Sequence, residues 1–128
     1  MQQHQDVMVG TLVYPIDVAM AANPNVVKVV RDHKGFAMYF SRAAIPFIRD
    51  THNTPNFEYM GHIGIYAYRR SFLLNYSSLE PSLLEKIEKL EQLRVLENGY
   101  KILTAVTNYR AKGIDTPDDY RDFVSRFQ

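Results

Sequence analysis

The chain contains no cysteine in its 128 residues. That excludes disulfides and thiolate metal sites and fits a reducing compartment. No apolar run reaches the roughly 18 residues that a membrane-spanning helix needs. Residues 1–6 have neither a basic n-region nor an apolar core, so no signal peptide is expected. A charge of one sign is also missing: fifteen Lys and Arg stand against fourteen Asp and Glu, a net +1. Bulk charge therefore does not favour a nucleic acid or a membrane surface as partner. The six glycines are scattered and build neither G-x-G-x-x-G nor a P-loop. His4, His33, His52 and His62 show no metal-ligand spacing, and there is no G-x-S-x-G elbow. Neither a repeat nor a low-complexity segment is present. The expectation is a soluble cytoplasmic protein without a nucleotide-gripping loop of its own.

What is present is ordinary for a globular domain: 46% apolar and 23% charged residues. At this length residues 1–128 form one unit, able to bury roughly 65–70% of the surface of the unfolded chain.

The pattern predicts mixed α/β structure with five strands. Residues 6–16 are rich in Val and Leu and read as a strand. A linker with one helical turn over 18–22 follows. Residues 26–31 and 36–40 read as a hairpin around Asp32-His33-Lys34-Gly35, with Gly35 suited to a left-handed turn position. Residues 41–56 hold Pro46 and Pro55 and read as a long loop. Residues 62–69 are the next strand, and 70–76 a short helix. Ser82-Leu83-Leu84-Glu85 has the capping-box pattern. It opens a helix expected to run to about Asn98, with Gly99 as its stop and Leu83, Ile87, Leu90, Leu93 and Leu96 on its apolar side. Residues 101–107 are a strand, and Thr116-Pro117 starts a second helix reaching about Arg126. Hairpin links make the sheet partly antiparallel.

Several polar groupings stand out. Arg42 and Arg49 flank an apolar stretch in the long loop. Forked guanidinium groups there could clamp a carboxylate or phosphate, or simply be surface arginines. His62 and Tyr66, four apart on a strand, face one side with Gly64 between them, which leaves room for a ligand or reflects plain packing. Glu85, Glu88 and Glu91 recur on the long helix as a solvated face, with Lys89 at ion-pair spacing from Glu85. Glu91-Gln92 differs, because Leu90 and Leu93 tie that turn to the core, so a carboxylate and an amide there could read hydroxyls. Asp118 and Asp119 suit a helix start. Asp115 precedes the cap Thr116 and could ligate Mg²⁺, which takes few protein carboxylates.

The stretches NPNVVKVV, YFSRAAIPFIRD, HIGIYAYR, LEKIEKLEQLRVL and GIDTPDDY run in this order over nearly the whole chain. Together they resemble the carboxyl-terminal half of the 3-deoxy-D-manno-octulosonate cytidylyltransferase (CMP-Kdo synthetase) family. HIGIYAYR followed at this interval by LEQLRVL is the specific part. The resemblance departs at Phe47, where the family often has Trp, at Gly61, where it often has a basic residue, and at Leu83, where proline is usual.

The resemblance implies a partial nucleotidyltransferase-type, Rossmann-like mixed sheet with flanking helices and a β-hairpin dimerisation element. It implies an enzyme that joins CTP and the eight-carbon keto-sugar acid Kdo into CMP-Kdo and pyrophosphate for lipopolysaccharide synthesis. Arg42, Arg49, His62, Tyr66, Glu91 and Gln92 would bind Kdo, Asp115 would hold Mg²⁺, and two copies would pair. The family's CTP-binding half is not found in this sequence, so these residues alone are expected to be inactive. Other readings are a cytidylyltransferase for another α-keto sugar acid, such as a sialic acid, and a non-catalytic interaction module.

Overall fold

The structure is a computed structural model that describes residues 7–50 and 57–108. Five strands form one sheet in the order β3-β2-β4-β1-β5. They are β1 (Val9–Ile16), β2 (Lys28–Arg31), β3 (Ala37–Ser41), β4 (Tyr59–Tyr68) and β5 (Ile102–Val106). β1 pairs antiparallel with β4 and parallel with β5. Its first five residues are all buried, as expected of a strand flanked on both edges. The expected strands are all present, and β4 begins three residues earlier than the pattern predicts, at Tyr59.

The β2–β3 hairpin turns where expected. Asp32 Oδ1 accepts from the backbone N–H of Lys34 and Phe36, both at 2.9 Å. Gly35 takes φ +92°, a conformation open to glycine at little cost. Only two residues of β2 pair with β4, so the hairpin is free to curl. Its tip reaches β5, where Gly35 O accepts from Thr104 N at 2.8 Å and Thr104 Oγ1 at 2.6 Å.

Short helices flank the sheet: α1 (Val18–Ala21), which packs by Ala21 on Ile16 and Tyr59, then α2 (Arg70–Leu74), a 3-10 turn (Tyr76–Ser78), α3 (Leu83–Glu88) and α4 (Gln92–Glu97). Val9, Val13, Val29, Phe40 and Ile102 from the sheet meet Phe72, Leu90, Leu93 and Val95 from the helices in the main core. The other face carries a smaller cluster, Leu12 with half-buried Ile63, Ile65, Ala67, Leu103 and Ala105.

The single helix expected over residues 83–98 is two helices. Its start is as predicted: Ser82 Oγ accepts from Glu85 N at 3.0 Å, and Glu85 Oε1 accepts from Ser82 N at 3.2 Å. The break falls at Lys89, which adopts φ 59°. Arg42 supplies the cause. Its Nε donates to Glu88 O at 2.8 Å and its Nη2 to Lys89 O at 3.2 Å. A continuous helix would give those carbonyls to the amides of Gln92 and Leu93.

The Glu88 carboxylate turns inward to accept from Ser41 Oγ at 2.6 Å, Arg42 N at 3.0 Å and Tyr39 OH at 3.1 Å. Glu88 is therefore not part of a solvated face. Leu83 and Ile87 are 67% and 66% exposed rather than packed, because the break rotates α3 away from the core. The expected Glu85–Lys89 pair is replaced by a two-pronged bridge from Arg94 Nε and Nη2 to the Glu85 carboxylate, both at 2.9 Å, which ties α3 to α4. The helix expected from Thr116 lies outside the described residues. No helix among the described residues is long and apolar enough to cross a membrane.

Candidate functional site

A row of rings starts in the sheet and crosses to the helices. Phe40 meets His62 edge-on at 4.9 Å, and His62 lies 5.5 Å from Tyr66. Tyr66 stacks on Tyr68 at 5.6 Å, and Tyr68 on Phe72 at 5.8 Å. Residues 62, 66 and 68 share one face of β4, so period-two alternation carries the row. Between them the pairing jumps: Thr11 faces Tyr66, but Leu12 faces Ile63. Gly64 and Ile65 form the bulge. An added Cβ at Gly64 would meet nothing within 4 Å, so there is open space at this point of the strand.

The ring row ends in a cleft of about 170 Å³ lined by Tyr66, Tyr68, Leu73, Tyr76, Glu91, Gln92 and Val95. Leu90 and Leu93 are 6% and 0% exposed and anchor the turn that presents Glu91 and Gln92. Tyr76 OH donates to Glu91 Oε1 at 2.6 Å, which fixes one carboxylate oxygen and leaves the other to accept from a ligand. The Arg94 guanidinium sits 5.8 Å over the Tyr76 ring. A chain of contacts thus runs from Glu85 through Arg94 and Tyr76 to Glu91.

The protonation states are set chiefly by burial. Burial lowers His62 to about 4, so its imidazole is neutral at physiological pH. Burial pushes the Tyr66 phenol far up, with nearby Tyr68 and Glu91 adding to it. The Tyr76 phenol is also raised, first by burial and then by its bond to Glu91. These tyrosines act as hydrogen-bond donors and not as bases.

Tyr66, Glu91 and Gln92 are brought together, with His62 beside Tyr66. Arg42 and Arg49 do not line the cleft. Arg42 has its guanidinium on three backbone carbonyls, those of Glu88, Lys89 and Pro24. Arg49 is exposed on the stretch after β3. Asp115 lies outside the described residues. Among the described residues no group of three or more His, Cys, Asp or Glu side chains could hold a metal ion. A second hollow, of about 480 Å³, lies at the carboxyl ends of parallel β1 and β5 and is lined by Pro15, Ile16, Asp17, Glu58 and Asn108. Its oxygen donors are of the kind a hard cation accepts.

Sequence reasoning missed Thr11, Tyr68 and Tyr76. Tyr68 was open to discovery, two residues from Tyr66 on the same strand face. Nothing in the local pattern marks Thr11 or Tyr76, whose partners lie 51 and 15 residues away.

Comparison with known proteins adds to this geometry. Residues 1–102 match the family model described as Cytidylyltransferase. A 3-deoxy-manno-octulosonate cytidylyltransferase of Solibacter usitatus is 53% identical over 116 residues, covering 89% of this chain and 45% of that protein. One from Geotalea uraniireducens is 44% identical, covering 98% of this chain and 54% of that protein. The chain spans about half the length of these curated relatives. Among solved structures, a CMP:2-keto-3-deoxy-manno-octonic acid synthetase complexed with CTP superimposes with a TM-score of 0.78 at 39% identity. It covers 99% of this chain, which covers 54% of it.

Proposed function

The chain belongs to the cytidylyltransferase family, and from that premise we propose that it forms the sugar-acid side of a CMP-Kdo synthetase. The whole enzyme would transfer CMP from CTP to Kdo, releasing pyrophosphate, in lipopolysaccharide synthesis in the cytoplasm. One observation carries the reading. Tyr66, Glu91 and Gln92 converge on a small cleft from a strand and a helix that are far apart in sequence, and a neutral histidine stands next to it. Glu91, held at one oxygen by Tyr76, accepts from hydroxyls, and the Gln92 amide both donates and accepts. Such a set suits a polyol better than a flat apolar ligand.

The keto-acid's carboxylate needs a cation, and Arg49, exposed on the stretch after β3, would supply the fork. Arg42 acts in this reading by shaping the turn that presents Glu91, since its guanidinium is already bonded. Asp115 would hold Mg²⁺, which when bound neutralises phosphate charge and makes a hydroxyl a better nucleophile. Two copies would pair, with the β2–β3 hairpin as contact.

The test is pyrophosphate release from CTP by an enzyme that contains this chain together with a CTP-binding half. Release that depends on Kdo, and not on a sialic acid, supports the reading; equal turnover of a sialic acid moves the assignment to another keto-sugar acid. These 128 residues assayed alone should make no CMP-Kdo, because positioning both reactants is most of phosphoryl-transfer catalysis. Sedimentation showing a monomer at high concentration would remove the pairing.

A further inference from the structure

Thr11 is fully buried in the middle of β1, opposite the bulge of β4. Two carbonyls of the bulge, those of Ile63 and Ile65, come within reach of it. Thr11 Oγ1 lies 3.1 Å from Ile63 O and 2.8 Å from Ile65 O. It also lies 2.9 Å from His62 Nε2. A hydroxyl has one proton to give, and a carbonyl oxygen can only accept. If the proton pointed at Nε2, two carbonyl oxygens would face a hydroxyl oxygen at contact distance with no hydrogen between them. The arrangement closes only when Thr11 donates to the carbonyls and His62 Nε2–H donates to Thr11.

The imidazole is neutral, so with the proton on Nε2 its other nitrogen carries a lone pair. No contact made by Nδ1 accounts for that lone pair among the described residues. No buried side-chain nitrogen or oxygen among them lacks a partner either. Nδ1 is therefore open to solvent or to a ligand, on a ring packed between Phe40 and Tyr66.

We infer that Thr11 is a positioning residue that locks His62 as its Nε2–H tautomer, so that Nδ1 accepts a hydrogen bond from a ligand hydroxyl and cannot pair with its carboxylate. The ligand half of this statement rests on the keto-sugar reading above; the tautomer does not. It assigns His62 to the hydroxyl-bearing part of the substrate and removes it from acid–base work and from carboxylate binding.

Nitrogen-15 NMR of the uniformly labelled 128-residue chain tests both halves. The wild type should show a protonated, pyrrole-type Nε2 and a pyridine-type Nδ1 for His62. An Nδ1–H tautomer or an imidazolium at neutral pH overturns the inference. Thr11→Val should lose the single tautomer and show a mixture, and Thr11→Ser, which restores the hydroxyl, should recover it. A fixed tautomer in Thr11→Val overturns the role of Thr11. Should that variant not fold, the wild-type Nε2 proton decides: bonded to a buried oxygen it is protected from exchange, and a freely exchanging proton refutes the bond. Added Kdo should shift Nδ1 in the direction of an accepted hydrogen bond. If Kdo moves Gln92 and leaves Nδ1 unmoved, the acceptor role fails. If Kdo moves nothing, the ligand half fails together with the keto-sugar reading, while the tautomer stands or falls on the Thr11 variants.

Discussion

Acidification should weaken the native state through His62 before the carboxylates matter. Burial holds this imidazole at about 4 in the folded chain, against an ordinary value of 6.5. Below pH 6.5 the unfolded chain binds a proton there that the folded chain refuses. Stability is therefore constant above about pH 7 and falls as pH drops from 6.5 toward 4. One pKa unit corresponds to about 1.36 kcal/mol, so the loss reaches about 2 kcal/mol by pH 5 and about 3 kcal/mol by pH 4. That is a large share of a domain stability of roughly 5–15 kcal/mol.

The assay is urea unfolding at several pH values for the wild type and for His62→Gln, whose amide can still donate to Thr11. Carboxylates such as Glu85 and Glu88, held low by their hydrogen bonds, are common to both proteins and cancel in the difference. The difference should be flat above pH 7 and should move in favour of His62→Gln by about 3 kcal/mol at pH 4. A difference independent of pH, or a His62 ring that titrates near 6.5 by NMR, would refute the reasoning.

Arg42→Ala removes three bonds to backbone carbonyls and should cost about 2–4 kcal/mol, with hydrogen exchange at the amides of Gln92 and Leu93 changing most. Arg42→Lys should recover little, because an ammonium cannot span the same carbonyls. Leu93→Ala, at a fully buried position, should cost about 2–5 kcal/mol in chemical denaturation, whereas Ile87→Ala, 66% exposed, should change stability by less than about 0.5 kcal/mol. Tyr76→Phe frees the Glu91 carboxylate, and in an enzyme containing this chain it should raise KM for the sugar acid by roughly tenfold, about 1.4 kcal/mol, with little change in unfolding midpoint. An unchanged KM would mean that Glu91 does not touch the sugar.

The cleft was half legible. Alternation in HIGIYAYR put His62 and Tyr66 on one face, and the apolar anchors Leu90 and Leu93 set Glu91-Gln92 apart from the other acidic positions. Their meeting between the sheet and the helices was carried by the resemblance, since nothing local in either segment points to the other. The arginines show where the pattern stops. A guanidinium reads the same in sequence whether it awaits an anion or is spent on carbonyls. Only the fold reveals that Arg42 has Glu88, Lys89 and Pro24 around it.

What the chain order determined by itself is everything settled within a few residues. The Ser82–Glu85 capping box, the Asp32–Gly35 turn and the alternation of β4 follow from hydrogen bonds and sterics between near neighbours. Tertiary structure decided the break at Lys89, the exposure of Leu83 and Ile87, and the bond from His62 to Thr11. Each depends on a group distant in the chain: Arg42, 46 residues from Glu88, for the helix, and Thr11, 51 residues from His62, for the imidazole. Local propensity favoured one long helix by small increments per residue. A charged fork competing for the same carbonyls outweighs them, and that competitor arrives only when the sheet has folded.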